Sequence, residues 1–395
     1  MFSRHKSIWS LILAIAQREV RSYGHRPLLL FALLGAPLLC IVFFTTLMQS
    51  GLPTDLPAGV VDEDDTQVSR TFIRTMDAME QTCIVAHYPT FAEARDAVQR
   101  GQIYGFFYIP KGLTTDAVSS RQPHVSFYTN ETYFIPASLL MKDLRLSAEL
   151  LGLSITRETL TARGISQQRA MGILQPIVIE KHPLGNPWLN YSVYLSNIIL
   201  PGILFILTML CSCYVLGNEW KEGKQRQLFR MARYSQTSAI AGKLLPVTLC
   251  HGLFIVLIDV YLYRFLEFPC QCGLLPMMLW GVMGVLASQG LAILFYGIFM
   301  GQMRFSMSLC SLWGILGLSL SGFTFPVSAM HPVLQVACNL FPLRHYYLLY
   351  VCQALNGYPV GYVWTSVLML LCFMLVPFVV MPRYRWGFLK GKYKS

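Results

Sequence analysis

The chain has 395 residues, 54% of them hydrophobic, a mean hydropathy of +0.48 and a formal net charge of +11. Apolarity of this order, gathered in blocks of roughly twenty residues, excludes a water-soluble protein and points to an integral membrane protein. The positive charge calls for no nucleic acid, because it collects in short segments beside the apolar blocks, where anionic lipid headgroups attract it.

From Ile8 to Tyr23, residues Ile8, Leu11, Ile12, Ile15 and Ala16 share one helical face ahead of Arg18, Glu19 and Arg21. That pattern predicts a helix lying in the inner interface within 1–26. Pro27 then opens the first of six expected spans, 27–48, 193–216, 244–263, 274–300, 305–326 and 361–381. The first run is too long for the apolar part of a signal peptide and ends in Met48 and Gln49 without a small-residue cleavage site, so it reads as an uncleaved span.

Residues 49–192 have ordinary globular composition and alternate strand and helix signals. Short apolar runs at 58–62, 83–88, 103–109 and 124–129 read as strands. Phe72, Ile73, Met76 and Met79 repeat at helical spacing, and Thr90 with Glu93 forms a capping box before a helix that stops at Gly101. Strands separated by such helices imply a small, mostly parallel α/β domain. Longer helices are expected over 135–174, broken near Gly164, and 183–187 should turn the chain into the second span. The acidic run Asp62, Glu63, Asp64, Asp65 lacks the further ligands and the glycine of a calcium loop, so helix capping accounts for it better than a cation site.

Segment 217–243 holds six basic and two acidic residues in 27 positions between two apolar runs. Leu216, Trp220, Leu228, Met231 and Ala232 fall on one broad face, and Glu222 and Arg226 stand in the favourable i,i+4 order. The expectation is an amphipathic helix over 220–233 resting on the membrane surface. A phosphate loop is excluded: five residues separate Gly217 from Gly223, and Gln225 follows Lys224 where a hydroxyl would hold magnesium. No nucleotide, metal or other cofactor site is expected in this chain.

His251 and Asp259 are ionisable residues inside the third span, which makes them candidates for a transport pathway by default. Arg264 and Glu267 lie close to Asp259, so interfacial pairing is an equal reading. After the fifth span, Pro326, Met330, Pro332 and Pro342 divide the chain into apolar pieces too short to cross. Segment 327–355 is therefore expected to dip into the outer leaflet and return, with Tyr346, Tyr347 and Tyr350 at headgroup level.

Orientation follows from lysine and arginine. The pieces 1–26, 217–243, 301–304 and 382–395 carry 17 of the 31 basic residues but three of the 20 acids. The positive-inside rule places that side, with both termini, in the cytoplasm. The eleven cysteines suggest no disulfide or metal framework: Cys40, Cys211, Cys213, Cys250, Cys310 and Cys372 lie in spans, Cys83 is alone in the outer domain, and Cys270 and Cys272 are too close for an unstrained bridge. The expected architecture is an α-helical integral membrane protein with six transmembrane helices plus re-entrant outer helices. An extracytoplasmic α/β domain (49–192) is inserted between the first and second spans, a five-span domain covers 193–381, and 382–395 forms a basic tail.

Three motifs carry a resemblance. The run Val60, Val61, Asp62, Glu63, Asp64 followed by Ser69 and Arg70 matches an opening "V-D-x-D … S-R". Phe323 to Pro326, Met330 to Pro332 and Leu340 to Pro342 match a re-entrant signature. In the central segment Glu219, Gly223, Gln227 and Leu228 fit "R-E-K/R-E-x-G-T-x-E-Q-L", while Asn218, Lys221, Lys224 and Arg226 depart from it. In this order the motifs resemble the permease subunit of an ABC-2 type exporter, the multidrug-efflux-like branch with an external domain. The resemblance implies a chain without its own ATPase activity, set in the bacterial cytoplasmic (inner) membrane and paired with a second permease copy or a similar permease. An ABC ATPase dimer, which binds the ATP, would dock on Glu219, Trp220, Lys221, Glu222, Gly223, Lys224, Arg226 and Leu228. A membrane-fusion adaptor and outer-membrane channel would complete the path for a small molecule, drug or lipid-like substrate. A membrane sensor with an external ligand-binding domain, or an intramembrane enzyme using His251 and Asp259, are the rival classes; neither has a signalling module or a third catalytic group to support it.

Overall fold

The computed structural model describes residues 8–49, 51–119, 121, 123–162, 164–166, 169, 185–186 and 190–393. The chain divides into two compact units, Met1–Gln49 with Pro183–Ser395, and Ser50–His182. The expected turn at 183–187 and the helix residues beyond 169 fall largely outside the described residues, as does Lys394 of the tail.

In the first unit six helices are long and apolar enough to cross a membrane: Pro27–Leu47, Tyr191–Lys221, Gln236–Phe265, Leu274–Ile298, Met303–Leu320 and Val360–Lys390. In the second and fourth, 67% of the most apolar window is buried, against 22% in the first and fifth, so the former pair forms the centre and the latter the rim. Apolar composition makes each helix; polar caps decide where it ends. Asn190 starts the second span by accepting from the backbone N–H groups of Ser192 (2.8 Å) and Val193 (3.3 Å). The same helix stops at Glu222, where Lys224 N–H bonds the Glu219 carbonyl (3.0 Å) and Gly223 N–H bonds that of Trp220 (3.1 Å), with Gly223 at φ +70°. This is a Schellman termination, which needs a glycine at the left-handed position.

Two expectations change here. The second span runs to Lys221 and the third starts at Gln236, so the connection outside the long helices is 222–235 rather than 217–243. The single surface helix expected over 220–233 is replaced by the end of the second span, a tight turn and a short helix, Gln225–Met231. The connection then passes Arg233 and Tyr234, both at positive φ, and Ser235 caps the third span through Ser238 N–H.

After the fifth span come a turn at Val327–Ala329 and the short helices Pro332–Ala337 and Pro342–Leu349, with proline at the first position of each helix, where its missing N–H costs nothing. Tyr346 and Tyr350 are packed inside the helical core, at 0% and 2% exposure, rather than at a headgroup surface. Their rings fill space between spans, as in the edge-on contact of Tyr346 with Phe205 (5.6 Å).

The second unit is a four-stranded sheet of β1 (Leu56–Asp62), β2 (Thr82–His87), β3 (Gly105–Ile109) and β4 (Ser126–Thr129) in the order β2-β1-β3-β4. The first three are parallel and β4 is antiparallel to β3. Strand alternation sends Val60 and Phe107 to one face, where Phe72, Ile73 and Met76 of helix Gln67–Asp77 and Leu140 of helix Phe134–Ala162 cover them. Val61 and Phe106 go to the other, against Ala94 and Ala97 of helix Phe91–Gln99. The acidic run is consumed locally. Asp62 accepts from the N–H groups of Asp64 (3.0 Å) and Asp65 (3.1 Å) and from the Ser69 hydroxyl (2.7 Å). Asp64 accepts from Gly112 N–H (2.8 Å) and the hydroxyls of Thr66 (2.8 Å) and Thr114 (2.7 Å). Burial is the largest single influence and raises the Asp64 pKa, but the hydrogen bonds from Thr114, Thr66 and Gly112 together outweigh it, so the carboxyl titrates below its ordinary value.

Candidate functional site

The ends of the second and third spans meet the helix Ile8–Tyr23 at a cluster of charges that centres on Lys243. This lysine is fully buried, and its Nζ donates to Glu219 Oε2 (2.6 Å) on the second span and to Glu19 Oε2 (2.8 Å) on the interfacial helix. Arg18 pairs with the other oxygen of Glu219. Arg26 donates to Glu19 Oε1 (3.2 Å) and to Glu222 Oε1 (2.8 Å), and Lys224 reaches Glu222 Oε2 (2.7 Å). Four cations and three carboxylates thus alternate across the helix Ile8–Tyr23, the start of the first span, the second and third spans and the connection.

Such burial is tolerable because each buried charge faces opposite charge at hydrogen-bond distance, N–H donors meeting carboxylate oxygens; a lone ion there would cost several kcal/mol. Glu222 lies just past the helix end. Burial raises its pKa, but hydrogen bonds from Lys224 and Asn218 and the Arg26 charge outweigh that and bring it to about 2. The i,i+4 partner expected for Glu222, Arg226, is not its partner: the Schellman turn separates them, and Arg226 points away on the next helix. Among the described residues Arg226 has no carboxylate within ion-pair distance.

The interfacial helix is held close. It buries Ile15, Ala16, Glu19 and Tyr23 and exposes Trp9, Leu13 and Val20. A methyl group on Gly242 would sit 2.8 Å from the Ile12 carbonyl oxygen and 2.8 Å from Ile15 Cβ, so the third span has glycine where the two backbones approach. Trp220, 2% exposed, packs its ring at a tilt of 32° against Phe388 (centroids 4.9 Å) and donates to the Gly387 carbonyl (3.3 Å), tying the second span to the last helix. Leu228 is buried beneath the short helix, whereas Lys221, Glu222, Gly223, Lys224 and Arg226 are at the surface.

The other candidates lie apart from this cluster. His251 Nδ1 meets the Thr208 hydroxyl (2.9 Å) inside the helix bundle. Asp259, 1% exposed, has no hydrogen-bond partner on either oxygen among the described residues, so the interfacial pairing with Arg264 is not formed. The two acidic and basic candidates do not touch each other. Pro326, Met330, Pro332 and Pro342 punctuate the broken helices after the fifth span. Among the described residues no group of histidine, cysteine and carboxylate side chains is placed to hold a metal ion.

Arg18, Glu19, Arg26 and Lys243 are the members of the cluster that sequence reasoning passed over. One signal was available: Ile15, Glu19 and Tyr23 recur every four residues, so a carboxylate stood in line with apolar neighbours and required a buried cation opposite.

The family model for ABC-2 family transporter protein matches residues 27–381. The chain belongs to the ABC-2 transporter family and is a multi-pass membrane permease, a transport component that in this family generally works with an ABC ATPase subunit. Among curated proteins none matches it.

Proposed function

We propose that the chain is the permease subunit of an ATP-driven exporter that moves a small molecule, drug or lipid-like substrate out across the cytoplasmic membrane. Two permease copies, or this chain and a similar one, would enclose the path, and a separate ATPase dimer would bind the ATP and bear on the connection 222–235. The observation that carries this reading is the buried charge cluster around Lys243. It fastens the connection to the second span, the third span and the interfacial helix, so a push on one is delivered to all three. A loop anchored by apolar contacts alone would yield under load, whereas paired buried charges resist separation because each partner would be stranded. The arginines and lysines beside the spans favour a cytoplasmic position for both termini and for this connection, and an external position for the α/β unit, where an adaptor and outer-membrane channel would meet it.

The test is reconstitution. The purified chain alone should hydrolyse no ATP, and the chain with its ATPase in liposomes should move substrate only with ATP. Hydrolysis by the chain without a partner would sink the reading. Reversing Lys221, Lys224 and Arg226 together should leave the ATPase turning over while export falls; unchanged export per ATP would count against the connection as the contact.

A further inference from the structure

The turn between the third and fourth spans, 266–273, carries a pair of thiols far from the charge cluster along the chain. Cys270 and Cys272 hold their Sγ atoms 3.9 Å apart, and both are half-buried. The backbone presents them together: Gly273 N–H bonds the Cys270 carbonyl (3.2 Å), and both sulfurs sit against the Gly273 carbonyl, at 3.3 and 3.5 Å. Gly273, at φ +80°, takes the left-handed conformation from which helix Leu274–Ile298 starts. The residue between the cysteines is pinned from the other side, since Gln271 N–H donates to the Ala354 carbonyl (2.9 Å).

The two sulfurs are not equivalent. The hydrogen bond from Cys270 favours the Cys272 thiolate and outweighs burial, so Cys272 titrates below its ordinary value. Cys272 also stands two residues ahead of the first residue of a 25-residue helix, whose N-terminal dipole favours negative charge. Cys270 is moved the other way, by the same hydrogen bond and by burial, so it is the sulfur that keeps its proton. A second pair shows what this arrangement adds. Cys213 and Cys310 approach to 3.3 Å, but both are at 0% exposure between the second and fifth spans, where no dissolved reagent meets them. The turn lies at the end of the third span opposite the connection 222–235, so the lysines and arginines favour an external position for it.

We propose that Cys270 and Cys272 form a thiol–disulfide exchange site on the outer side, with disulfides as its substrate class. The Cys272 thiolate attacks one sulfur of an incoming disulfide, forming a mixed disulfide and expelling the other sulfur as a thiolate. Cys270 gives its proton to that released thiolate and attacks the Cys272 sulfur. A bond then forms between the two protein sulfurs, and the second half of the incoming disulfide leaves as a thiolate. Two electrons have passed from the dithiol to the disulfide, and the reverse sequence with two thiols restores the starting state. A bridge across one intervening residue is strained, and strained, accessible bridges are the easily reduced ones, so the pair cycles rather than serving as a staple. The site is independent of the exporter reading.

The experiment reduces the full chain, sets it in nanodiscs and exposes it to oxidised glutathione, while peptide mass spectrometry follows residues 270–272 over time. In the wild type this peptide should become lighter by two hydrogens without keeping glutathione, and reduced glutathione should reopen it. Cys270→Ser lacks the resolving thiol but keeps a hydroxyl that donates to Cys272, so it should accumulate a glutathione adduct on Cys272. Cys272→Ser should form its adduct on Cys270 about tenfold more slowly, because less of that sulfur is thiolate. Cys213 and Cys310 should stay reduced throughout, which reports that the helix bundle is intact in each variant. A wild-type chain that forms no bridge, or that keeps glutathione on either sulfur, would overturn the site. Equal adduct rates in the two variants would overturn it as well, since the sulfurs would then be two ordinary thiols. None of these readouts uses ATP or a transported substrate, so their failure leaves the exporter reading standing.

Discussion

Lys243 is the one fully buried cation of the cluster and bridges its two buried carboxylates, Glu19 and Glu219. Replacing it with methionine keeps the volume but leaves Glu19 to Arg26 alone and Glu219 to Arg18 alone, each short of its buried partner, which should cost about 3 kcal/mol. Glu219→Gln should cost less, since Lys243 would keep Glu19 and the amide could still accept a hydrogen bond. The measurement is thermal unfolding in micelles; equal midpoints for Lys243→Met and wild type would show that the cluster adds nothing to stability. Glu222 makes a separate prediction through pH. Its folded pKa of about 2 lies below the ordinary glutamate value of about 4.3, so its pairing stabilises the folded chain fully above the ordinary value and is lost as pH falls through 2. The stability difference between wild type and Glu222→Gln should thus be constant from neutral pH to about pH 5 and shrink below it. Asp64 is also depressed and has the same sign, so Asp64→Asn should destabilise the α/β unit at neutral pH and progressively less as carboxylates protonate.

At the scale of elements, the close approach of the interfacial helix to the third span is the contact most exposed to a single change. Gly242→Val would place methyl groups against the Ile12 carbonyl and Ile15, and the overpacking should cost about 1–3 kcal/mol while the helix Ile8–Tyr23 lifts. Hydrogen exchange should then rise in that helix and not in the fourth span; uniform exchange across both would refute the local account. This contact was not legible in the sequence, and the reason is physical. Amphipathic periodicity located the helix and its apolar face, but which neighbour a glycine admits depends on three-dimensional approach. Six spans and four strands were legible because burial of long apolar runs and strict alternation are local properties. The ends at Lys221 and Gln236 were not: a charged segment was assumed to seek water, and here the charges find one another. Gly223 carried the correction within the sequence, since a glycine followed by a helix former is a common stop signal, and it breaks the supposed i,i+4 pair of Glu222 and Arg226. Asp259 was visible as an intramembrane carboxylate, but choosing between a pathway role and pairing near Arg264 depended on how the outer end of the third span packs, and among the described residues its oxygens have no partner.

For the whole molecule the question is whether the connection merely folds well or transmits. Arg26 separates these, since it sits at the start of the first span and bonds both Glu19 of the cluster and Glu222 of the connection. If 222–235 is a lever, Arg26→Ala cuts a strut between the lever and the body without touching an ATPase contact. Hydrolysis by the assembled complex should then continue near the wild-type rate while transport per ATP falls about tenfold, which corresponds to ~1.4 kcal/mol of lost coupling. If Arg26 only supports the fold, hydrolysis and transport should decline together and in step with the melting temperature. Arg26→Lys distinguishes the cases further: a single ammonium holds one of the two carboxylates well but lacks the fork that spans both. A lever therefore leaves the lysine variant stable yet partly uncoupled, whereas a support restores both readouts with the charge.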